Sequence, residues 1–73
     1  MVSFDLDKFS FALDSIRASK RLTWQGVADH AKVSASTLSR IQSGKRPDVD
    51  SLARLIEWSG LDFSKFISKA ARA

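Results

Sequence analysis

The chain contains no cysteine, and this absence removes two ways of stabilising a small protein. Neither a disulfide framework nor a zinc site built on cysteine is possible, and an intracellular setting is the natural interpretation. No apolar run approaches the roughly 20 residues that a membrane-spanning helix needs. The amino terminus, MVSFDLDKF, is acidic where a secretory signal would be basic and then apolar. We therefore expect a cytoplasmic protein without a membrane partner.

Residues that carry catalysis are also scarce. His30 is the single histidine, and without cysteine or a nearby acidic cluster it makes no persuasive metal site. The sequence offers no glycine-rich phosphate loop, no nucleophile beside a base, and no close pair of carboxylates in a recognisable pocket. We therefore expect no enzymatic activity, no cofactor and no metal.

The length of the chain, 73 residues, predicts one small domain over residues 1–73. A domain of this size buries only about 60% of the surface that its unfolded chain exposes. Its stability is therefore expected to be modest, or shared with a partner.

Positive charge is concentrated in the middle of the chain. The net charge is +4, yet residues 1–16 carry a balance of −2 and residues 47–73 a balance of zero. Residues 17–46 hold seven of the twelve lysines and arginines against Asp29 alone, a balance of +6. A surface that faces phosphates requires such an asymmetry. The middle segment therefore favours a nucleic-acid partner.

The spacing of the apolar residues predicts an all-α protein of five helices and no strands. In the first helix Leu6, Phe9 and Leu13 recur three or four residues apart, which places them on one face. The five helices are expected at about residues 5–19, 24–31, 35–43, 49–59 and 63–70. Because every connection is short, they form one compact domain.

Capping residues mark the ends of these helices. Thr23, Ser34 and Asp48 each precede a helical pattern and are expected to be amino-terminal caps. Gly44 and Gly60 are expected to adopt the left-handed conformation that ends a helix.

The aromatic and aliphatic residues predict the core only in part. Phe9, Phe66 and either Leu55 or Ile56 should fill it. Phe11 lies off the apolar stripe of the first helix and Trp58 lies at the edge of the stripe of the fourth, so one or both are expected to be exposed. The apolar positions of the fourth helix are Val49, Leu52, Ala53, Leu55, Ile56 and Trp58.

The segment 22–47 has the layout of two short helices that cross nearly at right angles and are followed by a basic turn. Ala28 supplies a small residue at the crossing, residues 31–34 supply the turn, and Leu38 and Ile41 face inward. This pattern resembles the lambda-repressor-like or Cro-type (xenobiotic response element) helix-turn-helix family. The matching positions are Leu22-Thr23, Val27-Ala28, Val33-Ser34, Ser36 to Ile41, Gly44, Arg46-Pro47 and Leu52. The resemblance extends over roughly Asp5 to Ile67 and implies a compact five-helix domain.

The resemblance also implies roles for individual residues. The third helix would lie in the major groove of DNA with its outward residues at the base edges: Ala35, Ser36, Ser39 and Arg40. Phosphate contacts would come from the start of the second helix and from the third helix with its basic turn: Thr23, Trp24, Gln25, Thr37, Ser43, Lys45 and Arg46. Trp58, Leu61 and Phe63 are candidates for a two-fold dimer contact, or else they seal a thin core.

Two positions depart from the family pattern. The family usually has glutamine as the first residue of the second helix, where it contacts the DNA backbone, whereas this chain has Trp24 followed by Gln25. The family also usually has glycine in the turn, and Lys32 occupies that position. If the backbone there keeps a positive φ, Lys32 is strained by about 1 kcal/mol or more.

The leading functional prediction is a sequence-specific regulator of transcription that binds double-stranded DNA, a homodimeric repressor that reads an inverted repeat. Such a protein would be cytoplasmic, and associated with the nucleoid when bound to DNA. The alternative is a protein-interaction module, an antitoxin or adaptor, whose apolar carboxy-terminal surface contacts a protein partner while DNA binding is secondary. Arg40, Lys45 and Arg46 favour the first; Phe11, Trp58 and Phe63 favour the second.

Overall fold

The computed structural model describes residues 2–69, which form a mostly helical protein. Its elements in chain order are β1 (Val2–Phe4), α1 (Leu6–Ser19), α2 (Trp24–Ala31), α3 (Ala35–Gln42), α4 (Val49–Ser59), a 3-10 helix (Phe63–Phe66) and β2 (Ile67–Lys69). The first four predicted helices are therefore confirmed to within a residue at each end. No helix in residues 2–69 has both the length and the apolar character required to cross a membrane.

The predicted caps are present at both ends of the helices. The side chains of Thr23, Ser34 and Asp48 each accept a hydrogen bond from the backbone N–H three residues later. Asp5 caps α1 in the same way, with 3.0 Å between its Oδ1 and the amide nitrogen of Lys8. These bonds satisfy amides that have no partner within a helix, and they explain why the helices begin at these residues. Gly44 and Gly60 have φ values of 90° and 74°, as expected of residues that follow a helix.

The core is built by all four helices. Its most deeply buried large side chains are Phe9, Leu13, Val27, Leu38, Ile41 and Leu55. The fourth helix therefore contributes Leu55 to the centre, whereas Ile56 is half-buried at its edge. Ala28 is buried on α2, and its small side chain is in the same cluster as Leu38 and Ile41 of α3. This core fixes the orientation of α3, because the inner side of α3 packs into it.

The prediction of a fifth α-helix over residues 63–70, and of a chain without strands, is wrong. Residues 63–66 form a single 3-10 turn, and the chain is then extended from Ile67. β2 pairs antiparallel with β1, and Phe4 lies opposite Ile67 in this pairing. A short helix is marginal on its own, whereas the pairing gives the backbone groups of both terminal segments partners. Residue 70, the end of the predicted helix, lies outside the described residues.

Four phenylalanines pack around this small sheet. The ring centroids of Phe4 and Phe63 are 5.2 Å apart and nearly parallel, and those of Phe9 and Phe66 are 5.3 Å apart and nearly perpendicular. Phe4 also lies 5.3 Å from Phe9. Such arrangements are favourable aromatic geometries. Phe63 and Phe66, three residues apart, are thus brought together by one 3-10 turn and pack in an aromatic cluster; they do not mark a longer helix.

The Asp48 cap leads to a pH prediction. The Ser51 hydroxyl donates to Asp48 across 2.7 Å and the Ser51 amide across 3.1 Å, and these bonds hold the pKa of Asp48 below its usual range. The unfolded chain therefore takes up the proton first as pH falls, so the stabilisation is complete above the ordinary aspartate pKa of about 3.9 and is lost progressively as pH falls through the lower pKa of the folded chain.

We expect Asp48→Asn to retain a capping oxygen but to remove this titration. Urea midpoints measured between about pH 6 and pH 2.5 should therefore fall less steeply for Asp48→Asn than for the original chain. Equal slopes would show that the charge on Asp48 makes no contribution to folding.

Candidate nucleic-acid interface

The helix α3 has one buried side and one exposed side. Leu38 and Ile41 are almost completely buried against the core. The four side chains predicted to read bases are all exposed: Ala35, Ser36, Ser39 and Arg40. The same helix thus anchors itself by its apolar residues and presents a methyl group, two hydroxyls and a guanidinium outward. These are the groups that pair with base edges in a major groove.

Thr37 does not belong to this exposed set. Its side chain is buried, and its hydroxyl lies 2.8 Å from Ser34 Oγ. Ser34 Oγ also accepts the amide hydrogen of Thr37, so both residues are occupied in starting the helix. A phosphate contact by Thr37 therefore stays a prediction, and the structure places this side chain beside Leu38 and Ile41 on the inner side of α3. Ser36 remains exposed, 3.2 Å from Ser34 Oγ.

The start of α2 combines an exposed cap with a half-buried tryptophan. Thr23 is exposed and its hydroxyl accepts from the amide of Gly26 at 3.0 Å. Trp24 packs against the core with part of its ring exposed. Gln25 is exposed, and its amide donates to Asp29 across 3.2 Å on the same helix. Gln25 therefore has a partner in this structure, although an exposed bond between two side chains is easily exchanged for another.

Arg17 holds Trp24 in place, a role that the sequence reasoning missed. Its guanidinium carbon lies 5.2 Å from the centre of the Trp24 ring, and its Nη1 donates to the carbonyl of Leu22 across 2.7 Å. Nε and Nη2 both donate to one carboxylate oxygen of Asp14. The spacing of Asp14 and Arg17 on a helix was the available signal for the ion pair. The contact with Trp24 depends on how α1 meets α2 and has no local signal.

A basic turn follows α3 directly. Ser43 ends the helix, and its hydroxyl donates to the carbonyl of Arg40 across 2.9 Å. Lys45 and Arg46 are exposed. Arg46 donates from Nη1 to the carbonyl of Phe4 across 3.1 Å, which ties the turn to strand β1. An arginine has five N–H donors, so this single bond leaves Arg46 able to meet an anion as well.

Most of the positive side chains in residues 17–46 have no carboxylate within ion-pair distance. Among the side chains that the structure describes, Arg17 and Asp14 form the only ion pair within 4.0 Å. The other six cations of the positive segment are exposed: Lys20, Arg21, Lys32, Arg40, Lys45 and Arg46. Asp29 is the one carboxylate in that stretch of sequence. The exposed residues of the segment therefore carry a strong positive excess.

Lys32 has the positive φ that its position in the turn implied. Its φ is 65° and its ψ is 40°, and its amide donates to the carbonyl of Ala28. A side chain with a Cβ is disfavoured in this left-handed region. Arg21, after α1, has a φ of 56° that the sequence reasoning did not anticipate.

We expect Lys32→Gly to raise the free energy of unfolding by about 1 kcal/mol, because glycine removes the Cβ clash. Lys32→Ala is the matched control, since it removes the same charge but keeps the Cβ. Urea denaturation of both variants separates the two effects. A Lys32→Gly protein no more stable than Lys32→Ala would show that residue 32 is not strained.

The apolar residues predicted to form a dimer contact separate into two groups. Trp58 and Leu61 are half-buried and pack against the core. Phe63 remains 42% exposed, and Phe11 on α1 is 76% exposed. The largest exposed aliphatic side chain is Val49, which the apolar pattern of α4 did not distinguish from its inner residues. Among the described residues, the exposed apolar surface thus lies on α4 and near Phe63, with Phe11 exposed separately on α1.

Comparison with known proteins identifies no relative of this chain. A scan against protein-family models finds no matching family, and searches of curated proteins and of solved structures find no match. Across residues 2–69, no three side chains of the metal-binding types converge on a point where they could hold an ion. The candidate functional surface therefore consists of α3, its basic turn and the start of α2.

Proposed function

We propose that this chain is a sequence-specific regulator that binds double-stranded DNA, with α2 and α3 acting as a helix-turn-helix unit of the lambda-repressor-like type. The observation that carries the proposal is the two-sided character of α3. Leu38 and Ile41 fix the helix to the core, while Ser36, Ser39 and Arg40 are exposed together. A helix held in this way can enter a major groove without rearrangement.

The exposed residues have complementary chemical roles in this proposal. Arg40 pairs with O6 and N7 of a guanine through two parallel hydrogen bonds. Ser36 and Ser39 donate to or accept from base edges, and the methyl group of Ala35 contacts the methyl group of a thymine. Because a serine hydroxyl accepts several bases, Arg40 contributes most of the discrimination.

Phosphate contacts at two places fix the position of α3 in the groove. At one end lie the exposed residues Thr23 and Gln25 with Trp24 at the start of α2. At the other end lie Ser43, Lys45 and Arg46. These contacts add affinity for any DNA sequence and set the register of the base contacts. Arg17 supports the first group because it orders Trp24.

The protein is proposed to act as a homodimer that represses transcription from an inverted repeat. Two copies of α3 then enter successive major grooves about 34 Å apart on one side of the duplex. Repression follows if the occupied site overlaps that of the transcription machinery.

Selection from random duplex DNA tests this proposal. The purified chain is mixed with a random duplex library, and the bound molecules are recovered, amplified and sequenced over several rounds. We expect a palindromic motif whose half-sites contain a guanine that depends on Arg40. A library without enrichment would overturn sequence-specific binding.

A second function is favoured by the exposure of Phe11, Val49 and Phe63. An interaction module would use such an apolar surface to hold another protein. This alternative predicts weak DNA binding that any basic protein of similar charge would match. Equal recovery of all sequences in the selection would favour the interaction module.

A further inference from the structure

The helix α4 leaves an apolar face uncovered. Val49 is 80% exposed, Ala53 is exposed, and Leu52 and Ile56 are half-buried. Together with Phe63 and Glu57 they line one groove, in which Glu57 is the one charged residue among the described side chains. A continuous exposed apolar surface on a small protein marks a place of contact with another molecule.

The spacing along α4 shows what shape of partner this face fits. Val49, Ala53 and Ile56 follow one another at intervals of four and three residues, so they form a straight stripe along the helix. Leu55 lies on the opposite side and is completely buried in the core. A stripe of this kind is the contact surface of one helix packed lengthwise against another.

A charged stripe runs beside the apolar one. Asp50, Arg54 and Glu57 are exposed and follow the same intervals of four and three residues. The stripe contains both signs, with Asp50 one turn before Arg54. When two such helices are antiparallel, stripes on the same side face each other, so Arg54 of each copy meets the Asp50 end of the other.

We propose that the occupant of this face is a second copy of the chain, whose α4 packs antiparallel against the first across a two-fold axis. With the axis between Leu52 and Ala53, Val49 of each copy lies beside Ile56 of the other. The small side chain of Ala53 lies close to the axis and lets the helices approach to about 8–10 Å.

Charge complementarity supports a second copy as the occupant. In this register Arg54 lies within one residue, about 1.5 Å along the axis, of Asp50 in the other copy. Symmetry generates the pair twice. The apolar stripe and the Asp50–Arg54 pair of the charged stripe therefore both match their own copies at the same register.

This inference rests on the proposed function in one respect, because it names the surface through which the proposed regulator pairs. Of the three residues predicted to form the dimer contact, Trp58 and Leu61 pack against the core and are not part of this surface. Phe63 lines the groove and remains a dimer contact. An 11-residue helix offers less than the roughly 800 Å² per partner of a standard interface. The dimer is accordingly expected to dissociate in the micromolar range.

Sedimentation equilibrium of the free full chain tests the proposal without DNA. We expect a monomer–dimer equilibrium, and we expect Ala53→Glu to raise its dissociation constant by about 100-fold or more, because two carboxylates then meet near the axis. Phe11→Glu is the matched control, since Phe11 is 76% exposed on α1 and lies outside the groove. It should leave the equilibrium unchanged. Circular dichroism checks that both variants remain folded.

A charge exchange provides a second variant set that does not depend on Ala53. Asp50→Arg and Arg54→Asp each place like charges opposite one another and should weaken the dimer by about 10-fold. The double variant restores opposite charges and should return to within about 3-fold of the original chain. A chain that remains monomeric at millimolar concentration, a dimer that tolerates Ala53→Glu, or a double variant without recovery would each overturn the proposal.

Binding of Ala53→Glu to a duplex with one half-site separates this inference from the proposed function. Retained half-site binding with loss of the dimer supports both. A dimer that Ala53→Glu disrupts, in a protein that binds no DNA, supports the α4 surface and overturns the DNA-binding proposal. DNA binding by a dimer that Ala53→Glu leaves intact overturns only the α4 surface.

Discussion

The affinity of the proposed dimer for duplex DNA is expected to fall by about 10³- to 10⁵-fold when the salt concentration rises from about 50 to 200 mM. The reason is the release of counterions by about 6 to 10 phosphate contacts, shared between two copies. Each copy has six exposed cations between Lys20 and Arg46, and the described residues place no carboxylate within ion-pair distance of them. Fluorescence anisotropy with a labelled duplex over a salt series measures the slope.

The control for this prediction is a charge removed from a different helix. Lys8 is exposed on α1, away from α3 in the sequence, whereas Lys45 follows α3 directly. Lys45→Ala should reduce the magnitude of the salt slope by about one contact per copy, and Lys8→Ala should leave it unchanged. Affinity that does not respond to salt would contradict phosphate binding and would favour the protein-interaction alternative.

Arg40→Ala is expected to lower affinity for the preferred site by about 1–3 kcal/mol and to relax sequence specificity. This corresponds to a loss of about 5- to 150-fold in the binding constant. The effect is expected to be large because Arg40 is exposed on α3 and is proposed to donate two parallel hydrogen bonds to one base. Titrations with the preferred duplex and with one carrying a changed half-site measure both quantities.

Lys45→Ala distinguishes base reading from attraction by charge. It removes one positive charge close to α3, but its loss should weaken binding to every sequence by a similar factor. If Arg40→Ala behaves in the same way, Arg40 contributes charge alone. If it affects no DNA at all, α3 does not lie in the groove.

Local signals in the sequence predicted most of the helical framework. Thr23, Ser34 and Asp48 cap their helices because a short polar side chain can reach the free amides of the first turn. The strain expected at Lys32 was conditional on a positive φ in the turn between α2 and α3, and the structure has that φ. These features depend on residues a few positions apart, so the sequence alone is sufficient to infer them.

Features that depend on distant residues could not be inferred in this way. The pairing of β1 with β2 joins the two ends of the described chain, and apolar spacing at 63–67 fits a helix as well as a turn and strand. The bond from Arg46 to Phe4 joins residues 42 positions apart. Neither leaves a periodic pattern, because each arises only when the helices have packed.

In the candidate site, too, some features could be inferred from the sequence and others could not. Exposure of Ser36, Ser39 and Arg40 followed from the helical period once Leu38 and Ile41 were assigned to the core. The burial of Thr37 was missed because its hydroxyl suggested a polar role, although its position is adjacent to the inner stripe. The apolar pattern of α4 does not distinguish Val49 from its inner residues, whereas the structure leaves Val49 80% exposed in a groove that Phe63 also lines.

An amide NMR titration of the isotope-labelled chain with its selected duplex tests whether α3 and its basic turn bind DNA. We expect the largest shift changes at residues 23–25 and 35–46, with small changes at 8–16. Shift changes confined to 49–63, or an absence of changes at 35–46 while the duplex is bound, would contradict this expectation.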